Sequence, residues 1–339
     1  MQRTYSFLTV MTLALCAFLM TPSTSLAGPQ GRAGVNLGTT SFFDGFGRPV
    51  EGFTYQNYLT LSRSREFINA QGNENTAFRN PEFDVYVMLN QLTYTTPYTL
   101  FGGRARPAFN FILPVVGFHT SFDAPGPNPL HNRTGLADFQ LGPVLQFLPV
   151  VVNGRPVFSQ RFEFTVITPT GKYDPTKTFN QGTNFISLNP YWAASVLPFA
   201  GFELSWRLNY IFNFDNERPV GAPRGLDVES SRGGQALWLN FATSYEVVKT
   251  LHVGANGYFY QQITDDEFHL RGMGPAGTGG ATVDGRAQGE GKQRVLGIGP
   301  GAFWEATKTE KFFANVYFQT LVEARPKATV LQARWIHSF

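Results

Sequence analysis

The stretch GFELSWRLNYIFNFD, residues 201–215, constrains the fold more than any other part of the chain. Its even positions are Phe202, Leu204, Trp206, Leu208, Tyr210, Phe212 and Phe214; its odd positions include Glu203, Ser205, Arg207, Asn209, Asn213 and Asp215. Successive side chains of a strand point to opposite faces, so a period of two sustained over this length is a β-strand with one greasy and one polar face. At ~3.3 Å per residue and a tilt near ~40°, such a strand crosses ~25 Å of hydrocarbon. The pattern returns at residues 158–170, where Phe162, Phe164 and Val166 oppose Arg161, Glu163 and Thr165. It returns again at 312–322, where Phe312, Val316 and Phe318 oppose Asn315, Tyr317 and Gln319.

Weaker alternations complete a set of twelve predicted strands: 53–64, 82–96, 105–117, 136–147, 158–170, 184–197, 202–214, 235–247, 251–263, 292–304, 312–322 and 328–339. An even number suits a single-chain bacterial barrel. The links at 65–81, 118–135, 171–183, 215–234 and 264–291 are long and those between them short, with a short ARPK link breaking the trend near the end. Alternating long and short links mark an up-and-down barrel with external loops at one rim and periplasmic turns at the other. Lipid offers no partner to an open sheet edge, so the last strand, ending WIHSF, is expected to pair with the first. One such alternation alone equally describes a face of a soluble β-sandwich.

The amino terminus supplies the membrane context. Arg3, an apolar run over residues 7–20 and then Ser25, Leu26 and Ala27 follow the order of a secretory leader, with cleavage expected after Ala27. Cys16, the chain's single cysteine, falls inside that leader, so the expected mature chain has neither thiol nor disulfide. Beyond Ala27 no apolar run approaches the ~18 to 20 residues of a spanning helix. The formal charge is +3, of which Arg3 carries one, and there is no basic run, so nucleic-acid binding has little support. Aromatic residues are abundant, with 33 Phe, 13 Tyr and 5 Trp, while charged residues make up 15%, below the ~25% of a soluble domain. The expected organisation is a leader at 1–27, a periplasmic or lumen-plugging segment at 28–52 and an all-β transmembrane antiparallel β-barrel at 53–339.

Several blocks in order, LNQLTYTTPYTLFGGRARPAFNFILPVV, TGLADFQLGPVLQF, TPTGKYDP, LNPYWAASVLP, FELSWRLNYIFNFDNE, GYFYQQITDD and RVLGIGPGAFW, resemble those of the meta-pathway phenol-degradation, or SphA-like, outer-membrane transporters. The resemblance runs from about Phe46 to Trp304. It implies a barrel in the bacterial outer membrane associated with uptake of hydrophobic or aromatic compounds, and it brings no catalytic residues with it. The Gly-rich stretch at 272–291 is longer than the family leads one to expect.

With the apolar face of each strand toward lipid, the candidate lumen-lining residues are Arg106, Asn110, Asp138, Gln140, Arg161, Glu163, Glu203, Arg207, Asn209, Asn240, Asn256, Gln319, Glu323 and Arg334. Charges of both signs are tolerable there only if wet or paired. They make either a constriction that screens solutes or a ladder of ion pairs that fills the interior. A twelve-stranded barrel leaves a modest bore, and the segment at 28–52, with Phe42, Phe43 and Phe46, either enters it as a plug or hangs free in the periplasm. In PTGKYD, Tyr173 stands where a phosphate loop needs Ser or Thr, so a rim turn is expected. His119 with Ser121, His252 and His269 sit in no nucleophile motif, and the run Asp265, Asp266, Glu267 reads as a solvated loop mouth or a divalent-cation site. The expected function is passive passage of small hydrophobic or aromatic solutes, with no cofactor implied. The expected partners are outer-membrane lipid, lipopolysaccharide and the barrel assembly machinery. A rim-active lipid hydrolase and a structural barrel with a blocked lumen stand as alternatives.

Overall fold

The computed structural model describes residues 35–76, 79–123, 131–220, 228–270, 282–283, 286–288 and 291–339. The expected leader, its cleavage point and residues 28–34 lie outside the described residues, as does most of the Gly-rich 272–291 stretch. Among the described residues there is no helix long and apolar enough to cross a membrane.

The wall consists of twelve strands: β1 Gly52–Ile68, β2 Glu82–Thr95, β3 Ala105–Ser121, β4 Gln140–Phe147, β5 Arg155–Ile167, β6 Ser187–Val196, β7 Phe202–Asn213, β8 Ala236–Val248, β9 Leu251–Gln262, β10 Arg294–Glu305, β11 Glu310–Glu323 and β12 Arg325–Ser338. Each pairs antiparallel with its neighbour in sequence, and β12 pairs with β1 from Thr54↔Ser338 to Ile68↔Arg325, which closes the ring. Phe339 adds one more bond, its N–H donating to Phe53 O at 3.0 Å. Closure leaves no sheet edge for lipid to strand, as the alternation pattern requires. All twelve predicted strands are present. β1 runs on to Ile68, past an irregularity between Ser64 and Glu66, and the β11–β12 link shrinks to Ala324, whose φ of 51° turns the chain at once. At the long-loop end, Val228–Arg232, Glu267–Leu270, Arg286–Gln288 and Thr282–Val283 form a separate small antiparallel sheet.

The barrel is inside out relative to a soluble protein. On β7, Glu203 is 0% exposed and Asn209 1%, whereas Leu204 and Leu208 are each 44% exposed. An apolar exterior over a polar interior is stable only where the exterior meets hydrocarbon. Near the short-turn end the outer surface carries paired rings, Trp304 with Phe312 and Tyr55 with Trp335, each pair 5.7 Å apart by centroid. The Trp335 indole N–H donates to Glu310. Aromatic rings with one wet end are the anchors of a membrane interface.

Candidate functional site

Residues 35–51 form no regular secondary structure, yet their groups bond to strands on many sides of the barrel. Trp238 on β8 donates its indole N–H to Asn36 Oδ1 at 2.9 Å, and Asn240 on the same strand donates to Asn36 O and accepts from Gly38 N. Tyr317 on β11 donates to Gly38 O at 2.7 Å. Further along, Gly45 N donates to Ser195 Oγ on β6 at 2.8 Å, while Ser159 Oγ on β5 and Gln146 Nε2 on β4 donate to Gly45 O. A Cβ at position 45 would stand 2.3 Å from Ser159 O and 2.4 Å from Ser195 N, so only glycine lets the segment lie this close to the wall. Phe42 is buried against Phe303, Phe313 and Ala242. The room for its ring comes from Gly301 in the GIGPG run, where a Cβ would meet Phe42 at 3.0 Å. Phe43 has φ 55°, a strained setting for a bulky residue, and its N–H donates to Glu203.

Asp44 is the centre of this arrangement. Arg207 grips it with two hydrogen bonds of 2.7 Å, Nε to Oδ2 and Nη2 to Oδ1, and Arg161 Nη2 donates to Oδ1 at 3.0 Å. Burial alone would push the Asp44 carboxyl up, but the charges of Arg207 and Arg161 outweigh burial and hold it below the usual carboxylate range. The Arg207 guanidinium lies 4.0 Å from the Tyr191 ring centroid, which fixes its plane. One carboxylate of a non-barrel segment thus pairs with two buried arginines of the wall, a bidentate geometry that favours arginine over lysine.

The residues predicted to face the lumen divide by place. Arg161, Arg207 and Arg334 are buried and come together around Asp44. Glu163 accepts from Asn110, Thr165 and Tyr191, and Glu203 from Phe43 N and Ser205. Asn209 and Asn240 are buried and bonded, and Gln319 donates to Tyr258 OH at 2.8 Å. Asn256 is buried at a long 3.5 Å from Gly299 O. Asp138 instead pins the long loop between β5 and β6, accepting from Gly171 N, Thr183 N and Thr183 Oγ1, and Gln140 lies half-buried two residues on. Arg106 reaches the rim, where it donates to Thr96 O and Pro97 O in the β2–β3 turn. Glu323 departs from its predicted position. Leu321, at φ 50°, breaks the alternation, so Val322 is buried and Glu323 pairs with Arg294.

Sequence reasoning passed over Asp44 and the inward tyrosines Tyr58, Tyr191 and Tyr258, all buried; Tyr317, also buried, it set on the face of Asn315 and Gln319. The signal available for Asp44 was an acid directly after Phe42 and Phe43, upstream of a barrel whose predicted interior included Arg161, Arg207 and Arg334. Of the histidines, His119 faces Glu82 at 3.5 Å, and no bond joins it to Ser121 among the described residues. Asp266 accepts from Gly234 N and Gln262, closing its loop. No group of three or more His, Cys, Asp or Glu among the described residues is placed to hold a metal.

Two cavities flank the segment. One, of about 280 Å³, lies toward the long loops and is bordered by Asn36, Tyr58, Asp138, Glu163, Gln181 and Arg207. The other, of about 650 Å³, opens at the short-turn end and is bordered by Phe43, Arg161, His252, Phe303, Phe313 and Arg334. Both touch Asn110, and residues 35–51 contribute to the walls of each.

A closed twelve-stranded β-barrel, apolar outside and polar within, with a non-barrel segment bonded across its interior, defines an outer-membrane-type barrel whose bore is partly filled. The family described as "Putative MetA-pathway of phenol degradation" matches residues 64–335, and the chain belongs to that family. Among solved structures, an outer membrane channel from Pseudomonas putida F1 superposes with a TM-score of 0.68 at 15% identity, covering 91% of this chain and 100% of its own. The transport unit of the autotransporter AIDA-I from Escherichia coli gives 0.48 at 8% identity, covering 85% and 90%. A deltaS2 mutant of the TodX monoaromatic hydrocarbon channel gives 0.49 at 9% identity, covering 94% and 97%. No curated protein sequence matches the chain.

Proposed function

We propose that the protein is an outer-membrane channel that lets small hydrophobic or aromatic compounds pass passively to the periplasm, with residues 28–52 acting as a plug inside the bore. The observation that carries this reading is the Asp44 clamp between two cavities. A segment joined to the wall by one ion-pair cluster and scattered side-chain hydrogen bonds, with no strand pairing among its described residues 35–51, is a removable partition, whereas a structural barrel would fill its interior from the wall itself. Membership in a phenol-degradation family favours an aromatic solute. Phe and Tyr rings along the route give such a solute a favourable surface, and the amides and charges between them weaken its hold enough for release. On this reading the long loops face outward beside lipopolysaccharide and the short turns face the periplasm. The apolar band meets outer-membrane lipid, into which the assembly machinery would insert the barrel.

Deleting residues 28–48 tests the plug in planar bilayers, where single-channel conductance is expected to rise several-fold. Unchanged conductance would remove the plug. Uptake of a labelled phenol or aromatic acid by cells with and without the gene tests the solute class, and equal rates would count against passage.

A further inference from the structure

Arg334 is 7% exposed, yet no carboxylate lies within ion-pair distance of it among the described residues. Its Nε and Nη2 both donate to one neutral acceptor, Gln56 Oε1, at 3.1 and 2.5 Å. The guanidinium carbon sits 5.0 Å from the Tyr58 ring centroid and 4.8 Å from that of Phe313, so two rings fix its plane. The nearby acid of the plug, Asp44, is engaged by Arg161 and Arg207. Three buried arginines thus share the single carboxylate of Asp44, and Arg334 is the one that does not touch it; a carboxylate arriving from solution would supply the contact it lacks.

The space for such a ligand adjoins it. The 650 Å³ chamber borders Arg334 and falls within the ~300–1,000 Å³ of small-ligand sites. From Arg334 a run of rings leads along its wall: Phe313 to Phe303 at 4.8 Å, Phe303 to Phe43 at 5.0 Å, Phe43 to His252 at 4.9 Å. A neutral phenol or hydrocarbon would satisfy the rings and leave the guanidinium unpaired. A non-aromatic acid would satisfy the guanidinium and leave the rings bare. The plug displays the combination that suits both, since Asp44 sits among arginines directly after Phe42 and Phe43.

Resting on the channel reading above and narrowing its solute, we propose that this chamber is a binding site for aromatic monocarboxylates. Arg334 takes the carboxylate, and Phe43, Phe303 and Phe313 take the ring.

Calorimetric titration of the folded full chain in detergent at pH 7 tests the site, with benzoate as the anionic probe and benzamide as its neutral near-isostere. Benzoate is expected to bind at least about tenfold more tightly, the worth of one charge-assisted bidentate contact. R334Q is expected to erase that preference. Q56E, which supplies Arg334 with an internal carboxylate in place of the amide, is expected to erase it too and serves where R334Q does not fold. Equal affinities in the wild type, no benzoate binding, or a preference that survives Q56E would overturn the proposal. Binding at equilibrium is read without flux, so the two readings fail separately. A chain that prefers benzoate yet passes no solute into liposomes keeps this site and loses the channel. A chain that passes phenol without preferring benzoate does the reverse.

Discussion

The two cavities on either side of the plug differ in charge as well as size. Toward the long loops, the smaller one is bordered by two carboxylates, Asp138 and Glu163, and one arginine, with amides and hydroxyls between them. At the short-turn end, the larger one is bordered by Arg48, Arg161, Lys308, Lys311 and Arg334 against Glu246 and Glu305, with phenylalanines between them. The plug separates an acid-leaning chamber from a base-leaning one, and Asp44 bonds Arg161 from the larger together with Arg207 from the smaller. A low-dielectric bore magnifies such differences, so on the proposed channel reading each half is expected to set its own preference for the sign of a solute's charge.

The most damaging change to this division is D44N. It leaves two buried guanidiniums facing an amide, and removing one partner from a buried ion pair costs about 3–5 kcal/mol. The segment then loses its central tie, and single-channel conductance is expected to approach that of the 28–48 deletion as the two chambers merge. Conductance at the wild-type level in D44N would show that the segment is held elsewhere and that the division does not depend on charge.

G45A acts on the same partition without touching a charge. The added methyl group would stand 2.3 Å from Ser159 O and 2.4 Å from Ser195 N, both wall backbone, so the segment must back away there. An intermediate conductance, between wild type and D44N, is the expected result in the same bilayer measurement. E163Q is smaller still. It removes one of two carboxylates from the long-loop chamber; the amide oxygen keeps the bonds from Asn110 and Tyr191, and the Thr165 hydroxyl can turn to accept from the new amide nitrogen. Reversal potentials in a salt gradient are expected to shift by a few mV toward anions, about the effect of one partly screened charge; an unchanged reversal potential would place Glu163 outside the conduction route.

The wall was legible because its rule is local. A period of two along β7 sorts Glu203, Arg207 and Asn209 inward whatever the rest of the chain does, and lipid outside makes the sorting strict. The rule failed where local geometry overrode it, as at Leu321, whose positive φ turned Glu323 from the interior. It also undervalued tyrosine. Treating aromatic residues as lipid-facing hides Tyr258, which lies inside because its hydroxyl finds a partner there in Gln319. The plug follows no periodicity at all. Its path is set by contacts with residues some 100 to 280 positions away, such as Gln146, Ser195 and Tyr317, so composition could name Phe42, Phe43 and Phe46 as candidates but could not find the arginines awaiting Asp44.

The plug's two ends also differ, and W238F distinguishes them with the smallest expected effect. Upstream, the segment is held by neutral hydrogen bonds that duplicate one another: Trp238 to Asn36, Asn240 to Asn36 and Thr40, and Tyr317 to Gly38. Downstream it is held by the Asp44 ion pairs, flanked by the bonds of Phe43 N to Glu203 and of Gly45 to Ser195, Ser159 and Gln146. Removing the indole N–H leaves Asn36 Oδ1 short of one donor, at a cost of about 1 kcal/mol, while the neighbouring bonds stay in place. If Asp44 is the latch, W238F keeps the closed conductance and adds only brief openings in long bilayer recordings. If W238F instead matches D44N, the upstream end carries the load, and the boundary between the two chambers is a hydrogen-bonded strap that the arginines merely accompany.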